Sequence, residues 1–280
     1  MLDVILDCLI DSLKLLPYLF ITFLILELFE HKLSTKNKKV LTKNKKVGPL
    51  FGAVLGGLPQ CGFSAMASSL FSSRVITLGT LIAVFLSTSD EMLPIMLSER
   101  ADITLILKII GFKVVVGMFF GFIIDFLYKS KEKDKNDHIH DMCSKDHCDC
   151  EHSGIFKSSI IHTLKTGLFI LIANLILGFA IYFIGEETLE NTLKNKNIFS
   201  HLIASLIGLI PNCAPSVIIT HLYLSKLITI GTLMSGLLTG SGVGILMLFK
   251  SNNNKKENLT IMGIIILIGV SVGFILDLII

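Results

Sequence analysis

The sequence predicts an all-α polytopic membrane protein: two inverted-topology repeats of about five hydrophobic segments each, with broken or re-entrant helices. Three observations predict it. The 280-residue chain is 52% hydrophobic and only 17% charged, with a mean hydropathy of +0.74. Its charges cluster at 31–46, 129–152, 186–196 and 250–257, and long apolar runs fill the rest. The chain also matches itself when shifted by 152 positions, with 11 identities in the 26 positions from 56 to 81. Solid apolar runs joined by polar loops suit helices that span a bilayer. A soluble protein would scatter its charges over a surface, and a transmembrane barrel would show weak alternation instead. No basic patch is interleaved with aromatics, so the partner is the lipid bilayer and not nucleic acid.

The elements follow in chain order. Met1-Leu2-Asp3-Val4 lacks a positive n-region, and no signal peptide is expected. Asp3, Asp7 and Asp11 recur every four residues, which predicts a short amphipathic helix at the interface. A first span is expected at about 13–30, with its mate at about 163–184. The loop 31–47 carries seven lysines and is predicted cytoplasmic. Its counterpart, 185–200, sets Glu186, Glu187 and Glu190 against Lys194 and Lys196, and is predicted external. Residues 99–102 are nearly neutral, whereas their counterpart holds Lys250, Lys255 and Lys256. Equivalent loops therefore face opposite sides, as in secondary transporters with a site near the midplane between repeats. Each unit must cross an odd number of times. Last spans are expected at about 103–127 and 259–280. Between them, 48–98 holds either three spans of about 17 residues or a re-entrant hairpin with its tip at Pro59-Gln60-Cys61 followed by one broken span. The domains are a first membrane repeat, 1–128, a cytoplasmic linker, 129–152, and a second, inverted repeat, 153–280.

Three features carry chemistry. Pro59-Gln60-Cys61-Gly62 and Pro211-Asn212-Cys213-Ala214-Pro215 interrupt apolar runs at matching positions. Proline removes a backbone donor, and broken backbone at membrane depth survives only where protein or water satisfies it. Each break sets an amide beside a thiol; the bland alternative is a packing kink with an inert cysteine. Ser64 and Ser216 follow the two breaks. The second feature is Ser87-Thr88-Ser89-Asp90-Glu91-Met92, two adjacent carboxylates inside an apolar run. Such acids are costly in a membrane and mark function by default. They can coordinate a divalent cation or exchange protons, or they lie in a short external turn. The second unit keeps Thr239 and Ser241 there but not the acids. His221 is weighed as a ligand, with a structural role favoured, and Asp125 and Asp277 as caps or snorkelling groups near helix ends. The third feature is the linker, with His138, His140, Cys143, His147, Cys148, Cys150 and His152 within 15 residues. Imidazole and thiolate bind zinc and softer metals. The spacing is irregular, which points to a flexible chelating tract, or else to a merely solvated linker. The six cysteines form no disulfide framework.

The chain resembles the ten-span heavy-metal exporter family, the arsenic-efflux-like permeases, some of whose members are described as manganese transporters. The resemblance rests on Gly48-Pro49-Leu50, on Leu58-Pro59-Gln60-Cys61-Gly62-Phe63-Ser64, and on Ile76 through Glu91. In the second half it rests on Gly208-Leu209-Ile210-Pro211-Asn212-Cys213 and Thr239-Gly240-Ser241-Gly242-Val243-Gly244. It implies efflux of a metal or metalloid ion across the inner membrane.

The expected function is therefore export of such an ion by alternating access, with proton coupling, since no nucleotide-binding motif is present. Gln60, Cys61, Ser64, Ser87, Thr88, Ser89, Asp90, Glu91, Asn212, Cys213, Ser216, Thr239 and Ser241 would form the site. Carboxylates and amides favour a divalent cation such as manganese, and paired thiols favour arsenite. An organic-ion carrier, a metal-sensing protein and an intramembrane hydrolase acting through Asp90 and Glu91 are the alternatives. No cofactor is expected, and homo-oligomerisation stays open. Deleting 138–152 separates carrier from sensor: a carrier lacking the tract still moves its ion in liposome flux measurements, whereas a sensor goes silent.

Overall fold

A computed structural model describes residues 47–58, 61–89, 92–128, 155–184, 198–212 and 214–279, with isolated positions between 9 and 24. Every element among the described residues is helical. The first half contains α1 (Gly48–Gly56), α2 (Cys61–Ser72), α3 (Leu78–Ser87), α4 (Met92–Ser98) and α5 (Ile103–Leu127). A long helix, α6 (Ile155–Ile184), follows. The second half contains α7 (Ile198–Gly208), α8 (Ala214–Leu224), α9 (Ile230–Thr239), α10 (Val243–Ser251) and α11 (Lys255–Ile279). The expected last spans are α5 and α11, and the span expected at 163–184 is the later part of α6. The 129–152 linker falls outside the described residues, and of the interfacial helix and the first span only isolated positions are described.

Among the described residues, four stretches are long and apolar enough to cross a bilayer: Leu78–Ser98, Ile103–Leu127, Ile230–Ser251 and Lys255–Ile279. Two kinds are distinguishable by burial. The interrupted stretches are 75% and 78% buried, whereas α5 and α11 are each 28% buried. The continuous helices present Leu107, Val115, Phe119, Phe126, Leu267 and Ile275 outward, as a lipid-facing surface requires. The interrupted ones fill the core, with Leu81, Ile82, Phe85, Leu233 and Leu238 among its fully enclosed side chains.

Local chemistry recurs at the 152-residue offset. Thr77 caps α3 by accepting from Thr80 N, and Thr229 caps α9 by accepting from Thr232 N. Asp125, near the end of α5, adds a second acceptor at the start of α3: its carboxylate takes Gly79 N at 2.8 Å and the Thr77 hydroxyl at 2.7 Å. Asp277 takes Gly231 N at 2.7 Å and the Thr229 hydroxyl in the same way. Each of these aspartates thus caps a neighbouring helix and not its own. The preceding helices α2 and α8 also end alike. Arg74 and Lys226 adopt left-handed φ of 59° and 60°. Val75 N reaches Leu70 O and Leu227 N reaches Leu222 O, the six-to-one bond of a Schellman stop.

Glycines let α3 and α9 seat deeply against the continuous helices. A Cβ on Gly79 would strike Gly121 O and the Asp125 carboxylate, and one on Gly231 would strike Gly273 O and Asp277. Small residues at such contacts are how membrane helices gain packing without a hydrophobic driving force. The halves interlock, with α2 packed on α10 and α4 on α8. Ser68 donates to Gly244 O at 2.7 Å, Ser72 and Ser251 share a bond of 2.7 Å, and Arg74 pairs with Glu257 through bonds of 2.8 and 2.9 Å.

Gly79→Ala and Gly231→Ala should each lower stability in detergent by about 1–3 kcal/mol. Gly111→Ala and Gly263→Ala, whose added methyl meets open space, should leave the melting temperature unchanged. Thermal melting of the four purified variants checks the contrast.

Candidate functional site

The broken spans place the site. Helix α3 stops at Ser87, and Thr88 turns the chain with ψ of 127°. Helix α9 stops at Thr239, and Gly240 turns it with ψ of 87°. Between these breaks lies a cavity of about 20 Å³, room for a water-sized body or a bare ion. It is lined from the first half by Thr88, Ser89, Met92 and Lys113, and from the second by residues that include Asn212, Ser216, Leu237 and Gly242. Both halves therefore contribute polar atoms to one enclosed space.

Lys113 is the residue that sequence reasoning passed over. It lies on α5, ten residues after Ile103 and fourteen before Leu127, about 15 and 21 Å from the helix ends. It is fully buried. Its Nζ donates to Thr88 O, and to Leu237 O at 2.9 Å. One ammonium thus holds a carbonyl at the end of each half-helix, where the helix dipole is negative. Its counterpart at the 152-residue offset is Ile265, also fully buried. The clue was in the sequence: a lysine midway along a 25-residue apolar span is a functional hypothesis by default. Lys108 precedes it by five residues on the same helix, and the two spaced lysines do not form a dense cluster like those of the loops.

The other predicted residues divide into three groups. Thr88, Ser89, Asn212 and Ser216 line the cavity. The Thr88 hydroxyl donates to Val84 O at 2.8 Å, and Ser89 donates to Ser87 O at 3.1 Å. Each oxygen keeps acceptor lone pairs after donating its proton. Asn212 accepts from Ala214 N at 3.0 Å, so it also caps α8. The second group lies around the cavity without lining it. Ser87 and Thr239 return their hydroxyls to their own helices and pack on Gly56 and Gly208. Ser64 packs on Gly244 between α2 and α10. Ser241 is buried, and its hydroxyl has no hydrogen-bond partner among the described residues. Unsatisfied buried hydroxyls are rare, and this one sits on the break itself. The third group is not described: Gln60, Asp90, Glu91 and Cys213 lie outside the described residues, and Cys61 is placed only as the first residue of α2. The linker ligands His138, His140, Cys143, His147, Cys148, Cys150 and His152 also lie outside them. No group of three or more His, Cys, Asp or Glu side chains occurs among the described residues.

Backbone geometry accounts for one asymmetry of the site. Gly242, the counterpart of Asp90, has φ of 53° and ψ of −139°, a conformation essentially reserved for glycine. The second half could not keep an acid there without strain. Two histidines also differ in place. His221 is exposed on α8, away from the cavity lining. His201 is buried on α7, with Nδ1 3.0 Å from Ser235 Oγ and Nε2 3.5 Å from Asp277 Oδ2. Its counterpart in the first half is Pro49.

A family model described as "Putative, 10TM heavy-metal exporter" matches residues 1–185 and 135–246. No curated protein and no solved structure shows significant similarity to the chain.

Gly242→Ala should cost about 1–2 kcal/mol of stability through its left-handed φ. Gly240→Ala, with a φ of −70° and an added methyl at no less than 3.4 Å from its neighbours, should be tolerated. Melting curves in detergent compare the two.

Proposed function

Because the chain belongs to the ten-span family of heavy-metal exporters, we propose that it carries a metal or metalloid ion outward through the cavity between its two broken spans, by alternating access coupled to proton entry. The observation that supports this reading is one small cavity, lined by hydroxyl, amide and ammonium groups among apolar ones, shared by α3–α5 of the first half and α7–α10 of the second. A catalytic pocket or a sensor domain has no need of two matched helix breaks around one space, whereas a carrier that opens to each side in turn does.

The re-entrant arrangement and the inverted orientation belong to the same proposal, and side-chain contacts support both. Gly48 lies beside Thr80, Gly56 beside Ser87, and α2 ends at Ser72, shortly before the α3 cap at Thr77. These neighbours support a hairpin in which α1 runs alongside α3 towards the break and α2 runs back. In the second half Gly208 lies beside Thr239, and α8 ends shortly before Thr229. For orientation, the start of α9 meets the end of α11 through Gly231 and Asp277. Arg74, just before α3, meets Glu257 at the start of α11. The starts of α3 and α9 therefore lie at opposite ends of α11. The Lys-rich loops favour a cytoplasmic position for the start of α3, and the inner membrane is the setting proposed.

A manganese-type divalent cation is favoured, because Asp90 and Glu91 follow directly on the cavity residues Thr88 and Ser89 and hard cations take oxygen ligands. Arsenite stands second on a specific observation. The Lys113 ammonium faces the cavity, and a neutral metalloid hydroxide meets no repulsion from it. The His/Cys-rich linker is proposed to gather the ion on the cytoplasmic side.

The test is efflux from cells loaded separately with manganese and with arsenite. Asp90→Asn and Glu91→Gln should each slow manganese export by about tenfold or more, equivalent to about 1.4 kcal/mol, with expression unchanged. Undiminished manganese export in both variants would sink the cation site. Normal arsenite export by the Cys61→Ser, Cys213→Ser double variant would exclude the thiol route.

A further inference from the structure

The two carbonyls that hold Lys113 come from unrelated parts of the chain but from equivalent places in it. Thr88 follows the last residue of α3, and Leu237 lies in the last turn of α9. The final four carbonyls of a helix lack intrahelical donors, and the dipole makes them a negative pole. Two such poles converge on one point beside the cavity. In broken-helix carriers, half-helix C-termini of this kind coordinate cations. Here the point is filled by an ammonium on a flexible four-carbon stem, and that stem is fully buried. Only one lysine serves both poles, since Ile265 stands at the matching position of α11.

We infer that the converging ends of α3 and α9 form a cation site whose resident in the ion-free state is the Lys113 ammonium, and that the transported cation and this ammonium occupy it in turn. The site rests on the geometry alone, while the alternation rests on the carrier reading above. Lys113 reaches Thr88 in the first half and Leu237 in the second. With the ion absent it ties the halves together and opposes empty cycling. An arriving cation takes the carbonyls, the lysine stem swings aside, and the halves are free to move. On release the ammonium returns, so the ion is driven out by a tethered competitor. A competitor that occupies the site most of the time lowers the apparent affinity of the ion by that same factor.

The experiment uses the purified full-length chain with Lys113→Ala and Lys113→Met. Lys113→Ala should melt at a lower temperature than the wild type. Ethylammonium chloride should restore it saturably, while choline chloride, too bulky for the gap, should not, and the wild type should respond to neither. Lys113→Met, which keeps the stem without the charge, should bind manganese about tenfold or more tightly, yet export it more slowly because nothing expels it. Equal action of ethylammonium and choline on Lys113→Ala overturns the cation site. Should Lys113→Ala fail to fold, Lys113→Met decides: manganese binding no tighter than in the wild type overturns the alternation. If amine rescue holds while the wild type moves neither manganese nor arsenite, the site stands and the exporter reading fails.

Discussion

Within a bilayer no water is at hand to satisfy a peptide group, so every interruption of a helix must be answered by protein. The architecture is organised around that constraint. The two interrupted spans sit in the core, more than seven-tenths enclosed, while continuous α5 and α11 face lipid. Near the interruptions, hydroxyls add bonds to backbone carbonyls. The Thr88 hydroxyl turns back to Val84 O, Thr239 turns back to Ser235 O, and Ser68 reaches across the halves to Gly244 O. The carbonyls of Thr88 and Leu237 are met by Lys113. Burying that ammonium would cost several kcal/mol if it were unpaired. Its value to the fold therefore depends on the helix ends it neutralises, and theirs on it.

The starts of the half-helices are fixed with equal care and greater symmetry. Asp125 and Asp277 cap α3 and α9 with nearly the same bonds, and Gly79 and Gly231 bring each half-helix onto its continuous partner. These anchors hold the outer ends, and the departures that reach the cavity lie at the inner ends. Lys113 matches Ile265, Asp90 matches Gly242, and Met92 matches Gly244 across the 152-residue offset. A duplicated frame carries a single unduplicated charge set, all of it from the first half.

His201 shows the same principle at the anchor of α9. It adds an imidazole next to Asp277, where the first half has Pro49 at the opening of α1. Phe274 presents its ring edge-on to the histidine at 5.9 Å. The second anchor is thus better furnished with polar groups than the first, although the capping bonds themselves are shared.

The sequence by itself determined the all-helical membrane class, the 152-residue repeat, the ends of α5 and the helix interruptions around Pro59 and Pro211. Those properties follow from hydropathy and from Pro, Gly and Thr acting on their immediate neighbours, and local chemistry is legible in a string. The tertiary structure decided what the string left open. It brought Thr88, Ser89, Asn212 and Ser216 around one cavity and left Ser64, Ser87 and Thr239 in packing roles. It turned Asp125 from a helix-end residue into the cap of another helix. Above all it singled out Lys113, 25 residues from Thr88 and 124 from Leu237 in the chain. A lysine midway along an apolar span announces that it must have partners, but only the fold says which, because hydrogen-bond geometry depends on how distant helix ends converge.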